Sequence, residues 1–320
     1  MEVIKIKHPH NIDKNEFQPM VLALGYFDGV HKGHQEVILT AKEIAHSKGL
    51  RSAVMTFDPH PSVVLRNSME HVEYITPLDE KEKLIESLGI DYLFVVEFSV
   101  PFSQLLPQEF VDQYLIGLNA VHIVAGFDYS YGKMGKGTME TLPFHSRAQF
   151  ESTVVPKLET YNEKISSTLI RSRIKNGNMD QLPNLLGRYY TVSGTVIHGD
   201  KRGRTIGFPT ANIAVKNEYI LPPVGVYTVR ILVEGNWFEG VCNVGYKPTF
   251  NKEKSSRPSI EVHIFDFNKE IYDQEVTVEW HKHLRSERKF SGVDELVGQI
   301  TIDKENALSY FNKAQILESH

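Results

Sequence analysis

The chain has 320 residues, more than the roughly 250–300 at which one hydrophobic core stops growing, so two domains are expected. Apolar residues at 41% and charged residues at 23% exclude an extended disordered chain, and no apolar run approaches the roughly 18 residues of a membrane span. With 35 basic against 40 acidic residues the net charge is -5, so no global field draws the protein onto nucleic acid, and any bound anion must be held locally. The first ten residues alternate charged with apolar side chains and show no secretory signal, and the lone cysteine, Cys242, has no intrachain partner; a reducing cytoplasm is expected.

Strand and helix then take turns along the first half. Residues 20–24 read as a buried strand, and Val37, Ile38, Ala41, Ile44 and Ala45 recur at helical spacing until Gly49 stops the helix. Further strands are expected at 51–57, 92–96 and 121–125, with helices at 81–88 and 109–116. This α/β alternation predicts a parallel sheet covered on both faces, a class that binds ligands outside the carboxyl ends of its strands. Two short helices follow at 167–175 and 179–186, and the composition changes there, which places a domain boundary after residue 186. Short β-rich runs at 190–197, 227–233, 237–244, 259–265 and 275–280, separated by Gly, Pro and Asn turns, predict an antiparallel barrel or sandwich. Apolar residues at 293, 296, 297, 300, 307, 308 and 311 predict a final helix packed on it.

Between the first strand and the first long helix stands Gly25-Tyr26-Phe27-Asp28-Gly29-Val30-His31-Lys32-Gly33-His34. Free N–H groups at a helix N-terminus favour phosphate, glycines let the backbone approach it, and two histidines three apart can face one ligand. A capped turn with two surface histidines, or a metal pair, fits the same residues. Further on, Ser166, Ser167 and Thr168 precede an apolar helical run and can cap it, while Arg171 one turn later can fork onto phosphate oxygens. Tyr129 and Tyr131 offer flat faces to an aromatic ring, with packing in a core or turn as the alternative for both. The run 132–138 has the composition of a P-loop without its spacing, and no GxGxxG fingerprint exists.

The second half carries Gly199, Gly203 and Gly207 around Lys201, Arg202 and Arg204, a cationic loop with open backbone donors that suits phosphates or is simply a solvated turn. Phe208-Pro209-Thr210-Ala211-Asn212 follows and places two hard oxygen ligands two residues apart, suited to Mg²⁺ beside nucleotide phosphates.

Taken together, GxFDGVHxGH is similar to the HxGH signature of the nucleotidyltransferase superfamily, and in its extended form it resembles the N-terminal module of bacterial bifunctional riboflavin kinase/FAD synthetases. The resemblance continues in order through residues 56–61, 126–132 and 165–171, then through GDKRGRTIGFPTAN and the blocks at 223–227, 243–250, 259–267 and 285–290. It implies a Rossmann-like FMN adenylyltransferase domain over 1–186 and a small riboflavin kinase barrel with its terminal helix over 187–320, using riboflavin, FMN, FAD, ATP and Mg²⁺. In the first domain it assigns ATP to Gly25, Phe27, Asp28, Gly29, His31, Gly33, His34, Ser166, Ser167, Thr168 and Arg171, with His31, His34 and Arg171 catalytic. It assigns the flavin there to Pro59, Pro61, Asp128 and Tyr131. In the second, ATP falls to Gly194, His198, Gly199, Lys201, Gly203, Arg204, Gly207, Phe208, Pro209, Thr210 and Asn212, with Mg²⁺ on the last Thr and Asn. The flavin falls to Tyr227, Glu261, Arg285 and Arg288, with Glu261 as the base that takes the acceptor hydroxyl's proton.

Some positions depart from the family's usual pattern. Tyr26 stands where Asn is often found, Tyr129 and Tyr131 where Phe is frequent, and Leu65 where relatives can carry an aromatic. Tyr272-Asp273 replaces Tyr-Gly, a change expected to shift the flavin-side wall. A transferase with a different acceptor or with one active site is the rival within enzymes. A flavin-binding regulator that contacts RNA through its barrel is the rival outside them. The partners expected are small molecules, with no nucleic acid or membrane, and the chain is expected to be a monomer or weak oligomer.

Overall fold

The computed structural model of the chain describes residues 1–65, 72–160, 162–199, 202–216, 218–246 and 258–318, which fall into two compact units, Met1–Leu169 and Ile170–His320. The first unit holds a six-stranded sheet of β1 (Glu2–Ile6), β2 (Met20–Leu24), β3 (Arg51–Asp58), β4 (Tyr92–Glu97), β5 (Ala120–Gly126) and β6 (Glu151–Val155). Every neighbouring pair is parallel, in the order β1-β4-β3-β2-β5-β6. The central strands read as unbroken apolar runs because both faces are covered: Met20, Leu22 and Leu24 join one core cluster, and Val21 and Ala23 join the other. Helix α1 (Lys32–Lys48) packs Val37, Ile38, Ala41 and Ala45 into the second cluster, and Gly49 ends it at φ 65°. Helix α2 (Leu78–Ser87) leads into β4.

From β2 the chain winds through β3 to β4 on one side, then returns to lay β5 and β6 on the other. That reversal leaves a crevice at the carboxyl ends of β2 and β5, the place where such sheets take ligands. The edge strands β1 and β6 escape the sequence reading because Glu2, Lys5, Glu151 and Ser152 interrupt their apolar runs. The helix expected at 109–116 is present: it starts as one α-helical turn, Pro107–Phe110, and runs on as a π-helical stretch, Val111–Ile116.

The second unit is a closed antiparallel barrel of β7 (Tyr190–Ile197), β8 (Ala211–Val215), β9 (Gly225–Val233), β10 (Asn236–Gly245), β11 (Ser259–Ile264) and β12 (Glu275–Arg285), in the order β7-β8-β11-β10-β9-β12. Alternation sends Val192, Tyr227, Val229, Cys242, Val262, Val278 and Trp280 to the buried interior. The division of the chain at Leu169 comes earlier than the boundary expected after 186. Residues 170–186 belong with the barrel: they bury Ile170, Ile174, Met179, Leu182, Leu185 and Leu186, the turn Met179–Gln181 packs on β12, and the helix Leu182–Leu186 packs on β7.

Helix α3 (Ser167–Lys175) spans the division, and helix α4 (Val293–Glu318) closes the chain. Ala307 and Leu308 of α4 pack with Val226, Val241 and Phe265 on the barrel's outer face. A bidentate pair adds to this contact: Arg285 Nε and Nη2 donate to the carboxylate of Asp303 at 3.0 and 2.8 Å, and Gln299 donates to the same group. Asp303 is buried, so Asp303→Ala should leave a half-enclosed guanidinium unpaired and cost about 3 kcal/mol in urea unfolding. Ahead of β12, Asp273 takes φ 61° and its N–H donates to Val196 O at 2.8 Å, so the turn glycine would make is kept with an aspartate. Asp273→Gly removes the left-handed strain and should raise stability by about 0.5 kcal/mol, read as a higher Tm.

Candidate functional site

A cavity of about 620 Å³ opens at the carboxyl ends of β2 and β5 and is lined by Gly25, His31, Gly33, His34, Ser166 and Ser167 on one side. Phe57, Phe98, Phe102, Leu105, Phe110 and Tyr131 form an apolar wall on the other. His31 is the N-cap of α1: its Nδ1 accepts the His34 N–H at 3.1 Å, and the two rings stack with centroids 3.5 Å apart. The capped turn is therefore present together with the histidine pair, and His31 is buried in it, not at the surface as the capped-turn alternative had it. Burial, reinforced by the charges of His31, Lys81 and Lys164, holds the His34 imidazole well below the usual histidine range, so it is neutral at pH 7. Its Nδ1 is buried and has no partner among the described residues.

The turn that carries these rings has an unusual backbone. Phe27, Gly29 and Val30 all have positive φ, at 56, 89 and 38°, a strained shape that only surrounding contacts can hold. Gly25 is required because a Cβ there would lie 2.6 Å from the Phe27 ring. Phe27 and Asp28, both expected to contact ATP, have buried side chains that support the turn, and Phe27 also lines the cavity. Phe27 stands edge-on to His34, and Asp28 accepts the N–H groups of Ile75 and Thr76, each at 3.1 Å. Ser167 Oγ donates to the Asp28 carbonyl at 2.8 Å and Ser166 Oγ accepts the Leu169 N–H, so the N-terminus of α3 is fixed beside that of α1. Thr168 and Arg171 follow on the same helix, Arg171 in the second unit.

Of the expected flavin contacts, Pro61, Asp128 and Tyr131 line the cavity, whereas Pro59 is not among its lining residues. Tyr131 is held firmly: its ring packs on Phe110 and its hydroxyl shares a 2.7 Å hydrogen bond with His145 Nδ1. Sequence reasoning missed three features. Lys164 pairs with Asp128 and lies over the Phe127 ring; its signal was its place just ahead of the serine-rich block. Residues 132–135, set aside as a false P-loop, form a turn at the cavity rim. Lys81, buried behind the histidine turn, had no local signal.

On the barrel, strand pairing sets Asn212 opposite Glu261 and Glu261 opposite Asn243, so the three side chains stand in a row on the outward face. Asn212 is buried, and its Oδ1 has no partner among the described residues. Gly199 makes room for it, since a Cβ there would lie 2.2 Å from the amide. An orphaned amide oxygen beside a carboxylate is chemistry that fits a hard cation such as Mg²⁺, with exposed Thr210 close in sequence. Burial lowers the pKa of His263, and the Nδ1–H of its neutral ring donates to Pro209 O at 2.8 Å, fixing the segment that leads to Asn212.

A second cavity of about 200 Å³ is lined by Arg204, Pro209, Thr210 and Tyr272, whose ring stacks on His198 at 4.0 Å. Gly194 lies within β7, Gly203 and Arg204 in a one-turn helix, Arg202–Thr205, and Gly207 and Phe208 in the loop after it. Lys201, and residues 247–250 of the matched blocks, lie outside the described residues.

Two expected flavin contacts are engaged within the barrel unit itself. Tyr227 is barrel core: parity puts it opposite Cys242, its hydroxyl donates to Pro223 O at 2.6 Å, and its ring meets Trp280. Arg285 is committed to Asp303, while Arg288 is half-exposed, over the Phe290 ring and 3.6 Å from Glu295.

A family profile described as FAD synthetase matches residues 13–169, and one described as riboflavin kinase matches residues 186–311. The chain is similar to the bifunctional riboflavin kinase/FMN adenylyltransferase of Bacillus subtilis (strain 168), 54% identical over 312 residues that cover 98% of this chain and 99% of that protein. The protein of the same name from Listeria monocytogenes is 49% identical over 315 residues, covering 98% and 100%. Among solved structures, a Streptococcus pneumoniae protein described as a macrolide-efflux protein has a TM-score of 0.85 at 37% identity, covering 95% of this chain and 98% of that one. No helix among the described residues is long and apolar enough to cross a membrane. With matches of this extent over both halves, the chain belongs to the bifunctional riboflavin kinase/FMN adenylyltransferase family.

Proposed function

We propose that the chain makes FMN and then FAD, with riboflavin kinase carried by the barrel unit and FMN adenylyltransferase by the parallel-sheet unit. The observation that carries this is the full-length match, in which the two family profiles fall in order on the two halves. Cys242 is buried and free, in keeping with a reducing cytoplasm as the place of action.

In the kinase, Glu261 takes the proton of the riboflavin 5′-hydroxyl as its oxygen bonds to the γ-phosphorus of ATP and ADP leaves. Asn212 stands beside Glu261 across the strand pair, so base and phosphate side share one face of the barrel. Mg²⁺, when held by Thr210 and Asn212, supplies charge neutralisation on the nucleotide phosphates. His198 and Tyr272 offer stacked rings at the smaller cavity, where Arg204 adds a cation for phosphate.

In the adenylyltransferase, an FMN phosphate oxygen attacks the α-phosphorus of ATP and the bond to pyrophosphate breaks, with no covalent enzyme intermediate. His31, His34 and Arg171 stabilise the negative charge that builds on the α-phosphate, aided by the N-termini of α1 and α3. The aromatic wall opposite the histidines accepts the flavin ring and excludes water.

Incubation with riboflavin, ATP and Mg²⁺, followed by chromatographic separation, should yield FMN and then FAD, and a parallel reaction from FMN should yield FAD directly. FMN alone from both tubes would overturn the adenylyltransferase. FAD only from supplied FMN would overturn the kinase. Glu261→Gln should lower FMN formation by about 100-fold or more while FAD synthesis from supplied FMN continues. His31→Ala combined with His34→Ala should lower FAD formation by about 100-fold or more and leave the kinase working. Loss of both activities in a folded variant of either kind would contradict separate sites.

A further inference from the structure

Lys81, in the first turn of α2, has no part in the chemistry above, yet it is buried to 2% exposure directly behind the histidine turn. Its ammonium donates to the Tyr26 carbonyl at 2.9 Å and to Thr56 Oγ1 at 3.3 Å, while the Thr56 hydroxyl donates to the same carbonyl at 2.8 Å. The Tyr26 ring lies against the ammonium at 4.3 Å, so the residue that departs from the family's usual Asn is part of this pocket. Asp28 grips the N–H groups of Ile75 and Thr76, which lead into the same helix. Residues 25–29 are thus tied to α2 by two links of opposite charge. A buried ammonium is costly, and an apolar side chain of similar volume would pack α2 at least as well. Packing alone therefore gives no reason for a charge here.

We propose that Lys81 is a positioning residue for adenylyl transfer: its ammonium, fixed by the Tyr26 carbonyl and Thr56, holds residues 25–27 in their phosphate-facing shape and sets a positive charge beneath the histidine pair. The proposal rests on the adenylyltransferase assignment. Asp28, Asp58 and Glu82 are the acids that face Lys81 and favour its charged form; burial outweighs them and brings its pKa down to about 8. His34 in turn is faced by His31, Lys81 and Lys164, all of which disfavour its protonation. Above about pH 8 Lys81 loses its proton, the charged strut under Tyr26 is lost, and FAD formation falls. FMN formation, carried out on the barrel, does not share that limb.

The test uses the full-length protein, with FAD formation from FMN and FMN formation from riboflavin followed from about pH 6.5 to about pH 9.5. Lys81→Met is expected to lower kcat for FAD formation about tenfold or more, to change KM for FMN little, and to abolish the alkaline limb, with FMN formation unchanged. Lys81→Arg keeps its charge throughout, so it is expected to restore most of the rate and carry the limb beyond the range tested. The His34 ring, followed by nitrogen-15 NMR, should titrate at higher pH in Lys81→Met than in the wild type. If the Met variant fails to fold, seen as loss of both activities, the wild-type profile and the Arg variant decide. A wild-type FAD rate flat through this range, or a Met variant with unchanged kcat and limb, overturns the proposal. Wild-type protein that makes no FAD from FMN at any pH overturns the assignment and the proposal together.

Discussion

The turn after β2 has a shape that its own residues do not favour and that must be fixed from behind, and the carboxylate of Asp28 meets that demand. Its oxygens take the N–H groups of Ile75 and Thr76, and its carbonyl takes the Ser167 hydroxyl. Three segments far apart in sequence are joined at one residue: the turn after β2, the entry to α2 and the start of α3. With that junction in place, Phe27 and Val30 can hold positive-φ backbones that no local preference would support, on either side of Gly29, which adopts one freely. The stacked histidines then stand at the N-terminus of α1 without further adjustment.

The barrel solves a different problem by parity. Because side chains alternate along each strand, the choice of register decides which residues face the core and which share the outer face. Asn212, Glu261 and Asn243 come from three strands and meet only because their pairings place them in one row. The same parity takes Tyr227 inward, against Trp280, although its block in the sequence lies among residues of the kinase match. The terminal helix then commits Arg285 through Asp303, so a cation that is free on paper is already engaged in the fold.

What could be read in advance follows from the range of each interaction. The strands at Met20–Leu24 and Tyr190–Ile197 and the helix at Ser167–Lys175 were legible residue for residue, because buried runs and helical spacing are local signals. Strands β1 and β6 were not, since edge strands are half-solvated and carry charge. Strand β8 was anticipated only as an extended placement of Thr210 and Asn212. At the sites, His31 and His34 announced themselves by their position ahead of a helix. Lys81 did not, since nothing in an amphipathic helix marks which lysine turns inward, and the contact that buries it is 55 residues away in sequence. The commitments of Tyr227 and Arg285 were hidden for the same reason: a tertiary partner, absent from the local sequence, decides the role.

The charged residues that hid the edge strands also bear on how copies of the chain behave in a crowded solution. A sheet with open edges presents rows of unpaired N–H and C=O groups, and here exposed Val3 on β1 and Val154 on β6 add apolar contact to that template. Glu2 and Lys5 on one edge, and Glu151 tethered by Lys48 on the other, force any second sheet that docks there to desolvate charge. A parallel sheet assembles through long-range crossovers, so its strands stay unpaired longer during folding than those of a hairpin. The edge charges therefore oppose edge-to-edge pairing whenever β1 or β6 is left without a neighbour, in the native sheet and during its assembly alike.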